Sequence, residues 1–147
     1  MREAFMRQAL SEARIALEAG EVPVGAVIVC EGRIIAVAHN EREMRRDPTA
    51  HAEVLALQAA ARALGRRRLY GCTLYVTLEP CPMCAGAILM AGVEEVIFGA
   101  SDPQKGCAGS VYALPEDPAL GGFVRCMGGL LEEECAQMLK AFFGTRR

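Results

Sequence analysis

Two short motifs constrain this chain more than anything else in it: His51-Ala52-Glu53 and, twenty-seven residues after Glu53, Pro80-Cys81-Pro82-Met83-Cys84. One imidazole and two thiols make a metal site only if the fold brings both segments to one point. Zinc is well served by such a set, with bonds of about 2.0–2.3 Å, and three protein ligands leave a fourth tetrahedral position for water. Bound zinc lowers the pKa of that water from about 16 to near 7, and a carboxylate outside the ligand set, Glu53, is then available to move protons. The parts are less telling than the whole. C-x-x-C alone also describes a redox pair or a structural zinc knuckle. A structural site needs a fourth protein ligand. His39 and five further cysteines are present, so spacing alone leaves closure open, while Pro80 and the offset of Glu53 count against it.

The local pattern puts both motifs at helix starts. Asp47 is placed to cap a helix with Pro48 in its first turn and Gly65 past its end, so His51 falls near that helix N-terminus. A second helix is expected from Cys81 to Ala91, with Gly92 after it, and Cys81 and Cys84, three apart, share a face. Two helix N-termini then favour thiolate and developing negative charge at the metal. His51 and Glu53 raise a difficulty, because two residues on a regular helix are about 200° apart. Either Glu53 reaches the water from the side or the first turn bends.

Around these helices, Met6, Leu10, Ala13 and Leu17 predict an opening amphipathic helix stopped by Gly20. Ala26 to Cys30 and Arg33 to Ala38 flank the turn Glu31-Gly32 and read as a hairpin. A polar loop runs from Asn40 to Arg46. Thr73 to Leu78 and Val93 to Gly99 read as strands, and Ser101 to Ser110 as a Gly-rich connection. After a Pro-containing loop come a short strand near Val124 to Met127 and a helix from Leu131 to Phe143, with an acidic start that suits its N-terminus. This alternation implies a layered α/β arrangement with helices packed on a sheet.

At 147 residues with 52% hydrophobic content and mean hydropathy of +0.21, the chain fits one domain, residues 1–147, with a real core. The longest apolar stretch, Cys84 to Val93, is far short of the roughly 18–20 residues of a membrane span. Seven cysteines and a first segment interrupted by Arg2, Glu3, Arg7 and Glu12 point to a reduced, cytoplasmic protein. Cys30, Cys72, Cys107, Cys126 and Cys135 then read as small core residues. A net charge of −2 does not by itself indicate a nucleic-acid partner. Local clusters at Arg42, Arg45 and Arg46, at Arg66 to Arg68, and at Arg146 and Arg147 read as solvated surface or as phosphate contacts.

The combined H-x-E and P-C-x-x-C pattern is the signature of zinc nucleobase deaminases. The flanking residues narrow the resemblance to the bacterial tRNA-specific adenosine deaminases, a branch of the cytidine/deoxycytidylate deaminase superfamily. They are Glu21 to Val27, Asp47 to Glu53, Thr73 to Ala87, Phe98-Gly99-Ala100 with Asp102, and Phe142-Phe143 with Arg146-Arg147. That resemblance implies a three-layer α/β/α sandwich around a five-stranded mixed sheet, and a homodimer. It implies one zinc ion per subunit on His51, Cys81 and Cys84, with Glu53 as the catalytic proton shuttle. The substrate would be the wobble adenosine of a tRNA anticodon, an arginine tRNA first, converted to inosine with release of ammonia. Asn40 matches a nucleoside-contacting position and Asp102 one near the substrate strand; with Ala52 and Val27, from the Val24 to Val27 wall, they make up the expected substrate contacts. A wobble base is already unpaired, so extruding it costs only unstacking.

The chain departs from the family pattern at Leu120-Gly121-Gly122-Phe123, where an Asn-His pair is common, and in stopping at Arg147 without a basic tail. Both departures concern RNA contacts rather than chemistry. The alternative expectation is a deaminase of a free base or nucleoside, of guanine or cytosine type.

Overall fold

In the computed structural model, residues 1–145 are described; the paired Arg146 and Arg147 lie outside the described residues. The first helix, α1 (Arg2–Glu18), buries Met6, Ala9, Ala13 and Ala16, while Leu10 and Leu17 are only partly covered. The buried stripe is thus rotated toward alanines relative to the expected Met6, Leu10, Ala13, Leu17 face. Close approach is the reason: a Cβ at Gly25 would overlap the Ala9 carbonyl oxygen and stand 2.6 Å from the Ala13 nitrogen.

Strands β1 (Gly25–Cys30) and β2 (Arg33–His39) form the expected hairpin. Its two-residue turn has φ of 52° at Glu31 and 76° at Gly32, the pair of left-handed residues that matches the twist of antiparallel strands. β3 (Cys72–Leu78) pairs antiparallel with β1, β4 (Glu95–Ala100) parallel with β3, and β5 (Arg125–Met127) parallel with β4. The sheet is five-stranded and mixed, in the order β2-β1-β3-β4-β5. A single helical turn, α2 (Arg42–Arg45), lies within the loop that leaves β2. It is followed by α3 (Ala52–Leu64), α4 (Pro82–Ala91), two 3-10 turns at Leu114–Glu116 and Pro118–Leu120, and α5 (Glu132–Thr145).

Because strand side chains alternate, a sheet covered on both faces needs apolar residues at every position. Ala26, Ile28, Leu74, Val76, Val96 and Phe98 pack with Ala52, Ala56 and Ala60 of α3 and Ile88 of α4. On the opposite face Val27, Val29, Tyr75 and Ile97 pack with Met6 and Ala9 of α1 and Cys135 of α5. The result is the three-layer α/β/α sandwich. Cys72, Cys107 and Cys135 are buried, Cys30 and Cys126 half-buried, and all seven cysteines are free thiols. Among the described residues no helix is long and apolar enough to cross a membrane.

One helix start differs from expectation. α3 begins at Ala52, not near Pro48, because the Asp47 carboxylate accepts from the Thr49 backbone N–H at 2.8 Å and its hydroxyl at 2.7 Å. That local turn competes with a helix N-cap for the same side chain, and here the turn wins.

Candidate active site

His51 stands just outside α3 with an extended backbone, φ −78° and ψ 150°, and Cys81 holds the same place before α4, φ −77° and ψ 175°. Glu53 is in the first turn of α3 and Cys84 in the first turn of α4. The 200° difficulty therefore disappears, since His51 is not on the helix that carries Glu53. The chain reaches this point from the carboxyl end of β3, through Leu78-Glu79-Pro80. Next to it, Asn40 leaves β2 and Asp102 leaves β4, so the site lies at the edge where parallel strands end and the sheet changes direction.

His51 Nδ1 is 3.7 Å from Cys81 Sγ and 3.5 Å from Cys84 Sγ, and the three donor atoms all lie within 4.8 Å of one another. With usual zinc–nitrogen and zinc–sulfur bond lengths, a tetrahedral angle separates such atoms by about 3.6 Å. The donor set fits a tetrahedral ion held by three protein atoms. Among the described residues it is also the one cluster of histidine, cysteine and carboxylate groups close enough to hold a metal.

The electrostatics are those of a site short of positive charge. The Cys81 thiol is pulled down to about 3, by the Cys84 thiol donating to it and then by His51, against the opposing effect of burial. Cys84 is pushed far above the usual thiol range, because it keeps the proton it shares with Cys81 and is buried. His51 is raised by its contact with Cys81. Burial pushes the Glu53 carboxyl up to about 7, the range in which one group can both take and return a proton.

These groups open onto a cavity of about 210 Å³, whose lining also includes Asn40, Arg42, Glu79, Asp102, Lys105 and Phe143. Pockets for drug-sized ligands run to about 300–1,000 Å³, so this one suits a smaller group such as a single base. A larger groove lies between α1 and α5, away from the metal ligands.

Residues 1–141 match the family model of the MafB19-like deaminases. The chain is 52% identical over 145 residues to the tRNA-specific adenosine deaminase of Bacillus subtilis (strain 168), covering 99% of this chain and 90% of that protein. A solved structure from work on A-to-I editing by tRNA:A34 deaminases at the wobble position of transfer RNA is 45% identical. It superposes with a TM-score of 0.89, over 92% of this chain and 99% of that one. The chain belongs to the tRNA-specific adenosine deaminase family. The guanine deaminase of Bacillus subtilis is 38% identical, but the TM-score is 0.63, over 84% of this chain and 71% of that one.

In this member of the tRNA-specific adenosine deaminases, seven of the eight residues singled out from sequence come together. His51, Glu53 and Cys81 line the cavity, Cys84 lies behind it with the other ligands, and Asn40, Ala52 and Asp102 form parts of its wall. Val27 does not join them. It is fully buried in the cluster under α1, because strand alternation turns residue 27 to the face opposite Val24, and Val24 takes the wall position. Asn40 is also a structural clamp: its amide donates to the Val22 carbonyl at 3.2 Å and accepts from the Arg42 N–H at 3.3 Å.

Sequence reasoning gave no site role to Lys105, Glu79 or Phe143, although Phe143 entered as part of the family resemblance and Arg42 as one of a surface cluster. Lys105 approaches the cavity from a distant segment and carries no local signal, while the Phe142-Phe143 pair marks the family without saying that Phe143 meets the cavity. Glu79 had a local signal, an acidic residue directly before the cysteine motif in an otherwise apolar run.

Proposed function

We propose that this protein deaminates the wobble adenosine of a tRNA anticodon, an arginine tRNA first, to inosine. It would act as a single zinc-dependent deaminase domain. The observation that carries the reading is the joining of one buried carboxylate and three metal-ligating atoms in a base-sized cavity that also has cationic and aromatic side chains. The Nε of Arg42 is buried without a hydrogen-bond partner, and Lys105 makes no ion pair among the described residues. Arg42 and Lys105 both line the cavity, and as cations they suit phosphates flanking an extruded base, on a chain whose overall charge is negative. Phe143, half-exposed beside them, offers a face for stacking.

His51, Cys81 and Cys84 would hold the zinc, which when bound supplies Lewis-acid activation of water at its open position. The rest of the chemistry belongs to side chains. Glu53 takes the proton from the attacking water and delivers it to the adenine ring nitrogen as the new C–O bond forms at C6. It then takes the proton of the new C6 hydroxyl and passes it to the amine as the C–N bond breaks and the C6 carbonyl forms. Water and adenosine are consumed, and inosine and ammonia are released. Burial excludes competing water from Glu53, and Asn40, by clamping Val22 to Arg42, keeps the base wall in place.

A homodimer is part of the proposal. Tyr70, Met90, Leu120 and Phe123 are each more than half exposed, and with Leu89 they line two adjoining clefts beside α4. Leu120 and Phe123 flank the place where the family commonly carries Asn-His, and apolar residues there suit protein contact better than RNA contact. A tRNA substrate and seven free thiols also support a cytoplasmic location.

The test is inosine formation by zinc-loaded protein on an arginine tRNA anticodon stem-loop that begins with adenosine, beside free adenosine, cytosine and guanine. Inosine at the wobble position alone is expected. Ammonia from a free base with the stem-loop untouched would reject the tRNA reading in favour of a base deaminase. Binding of the stem-loop should also weaken with salt, by about 0.7 logarithmic units per phosphate contact for each tenfold rise.

A further inference from the structure

We infer that Glu79 is a positioning residue whose buried carboxylate fastens the 101–110 loop, and with it Asp102 and Lys105, as one wall of the substrate cavity. The inference rests on the deaminase reading above and adds to it the group that sets substrate affinity from outside the metal site.

Glu79 is 2% exposed, directly before Pro80 and Cys81. Its Oε1 accepts the Asp102 backbone N–H at 3.0 Å and the Ser110 hydroxyl. Its Oε2 accepts the backbone N–H groups of Ala108 at 3.0 Å and Ser110 at 2.9 Å. One carboxylate therefore takes four donors from a single loop, at both of its ends. A buried charge is tolerated only when so compensated, and charge-assisted bonds of this kind are roughly twice as strong as neutral ones. The Cys107 N–H adds a bond to the Pro80 carbonyl at 2.8 Å. Gly106 has no spare room, since a Cβ there would overlap the Glu79 carboxylate and stand 2.5 Å from the Asp102 carbonyl oxygen.

This anchorage acts on the cavity directly. Asp102 and Lys105 both line it. The Asp102 carboxylate accepts the Gln104 and Lys105 backbone N–H groups at 3.0 and 3.2 Å, so the turn that carries Lys105 is built on Asp102. Asp102 is in turn held by Glu79. Gln104, Lys105 and Ser110 are exposed, and the loop buries only Gly106, Cys107 and Ala108. Its placement thus depends on polar anchoring more than on a core of its own. Glu79 contacts neither the metal ligands nor Glu53 through any of these bonds, so the chemistry and the wall are separable.

The experiment is Glu79→Gln, which keeps the shape but turns an N–H2 toward donors that need an acceptor. Zinc-loaded wild type and variant are compared on the anticodon stem-loop, with zinc content and amide hydrogen exchange measured in parallel. With the amide nitrogen at the Oε1 position the Ser110 hydroxyl can turn to accept from it, but the Asp102 N–H loses its acceptor, and since that bond holds the wall KM should rise about tenfold. By contrast, kcat should change by less than about threefold, since the reacting groups are untouched. Zinc stoichiometry should hold, and exchange should quicken over residues 101–110 but not at the starts of α3 and α4.

Faster exchange with an unchanged KM would overturn the inference, and so would zinc loss with kcat falling as far as kcat/KM. Where Glu79→Gln does not fold, Ser110→Ala removes one donor and leaves the carboxylate; KM should then rise about threefold, and an unchanged value overturns the proposal. If the wild type ignores the stem-loop and turns over a free base, the tRNA reading fails by itself and the KM comparison is made on that base.

Discussion

α5 packs close over Gly99, in β4, and replacing that glycine with alanine tests how tightly the sandwich is built. A Cβ there would overlap Cys135 Sγ, stand 2.9 Å from Cys135 Cβ, and lie 3.0 Å from the Thr77 carbonyl oxygen. Cys135 is fully buried and Thr77 is in the adjacent strand, so neither can swing aside. The helix must lift by roughly half an ångström to an ångström, and overpacking of that order costs about 1–3 kcal/mol. The upper half of the range is expected because one obstacle is backbone. Urea unfolding measures the loss. The decisive comparison is a double-mutant cycle with Cys135→Ala, which removes the sulfur but leaves the helix. Gly99→Ala on that background should cost at least about 1 kcal/mol less than on the wild type, well beyond the roughly 0.3–0.5 kcal/mol of additive behaviour. Since α5 brings Phe143 to the cavity, KM should rise in Gly99→Ala and recover in the double variant. Additive stabilities would refute the account of α5 packing.

Glu53→Gln should lower turnover by about 10²- to 10⁴-fold while zinc content is unchanged; loss of zinc would place Glu53 among the ligands instead. Val27→Ala should destabilise by about 2 kcal/mol in urea, two buried methyl groups and the space they leave, with KM unaltered. A raised KM would return Val27 to the cavity wall. The Asp47 carboxyl is held below its ordinary value by the Thr49 hydroxyl and backbone N–H, so its stabilising turn is present above the unfolded pKa and lost as pH falls through the folded one. The stability gap between wild type and Asp47→Asn should therefore be full above pH about 4 and shrink below it. A gap that widens in acid would contradict the turn.

His51, Cys81, Cys84 and Glu53 were readable in the sequence because metal chemistry narrows the choice of residue types and local spacing fixes which of them share a helix start. The hairpin at Glu31-Gly32 was readable for a similar reason, since a two-residue turn needs residues that tolerate positive φ. The start of α3 was misplaced because Asp47 satisfies either a helix or a turn locally, and only the path into His51 decides between them. The depth of α1 on the sheet also depended on a partner, Gly25, seven residues beyond the helix.

The sequence by itself determined the candidate ligand set, the carboxylate beside it, the alternation of strands and helices, and through the flanking motifs the family. Each is a property of residue type and near spacing. The tertiary structure alone decided which face of β1 meets the cavity, and so excluded Val27 and admitted Val24. It alone brought Lys105 and Phe143 to the rim, and joined Glu79 to the 101–110 loop. Those facts depend on which segments meet across the sheet, and contacts between residues far apart in the chain leave no periodic trace in either partner.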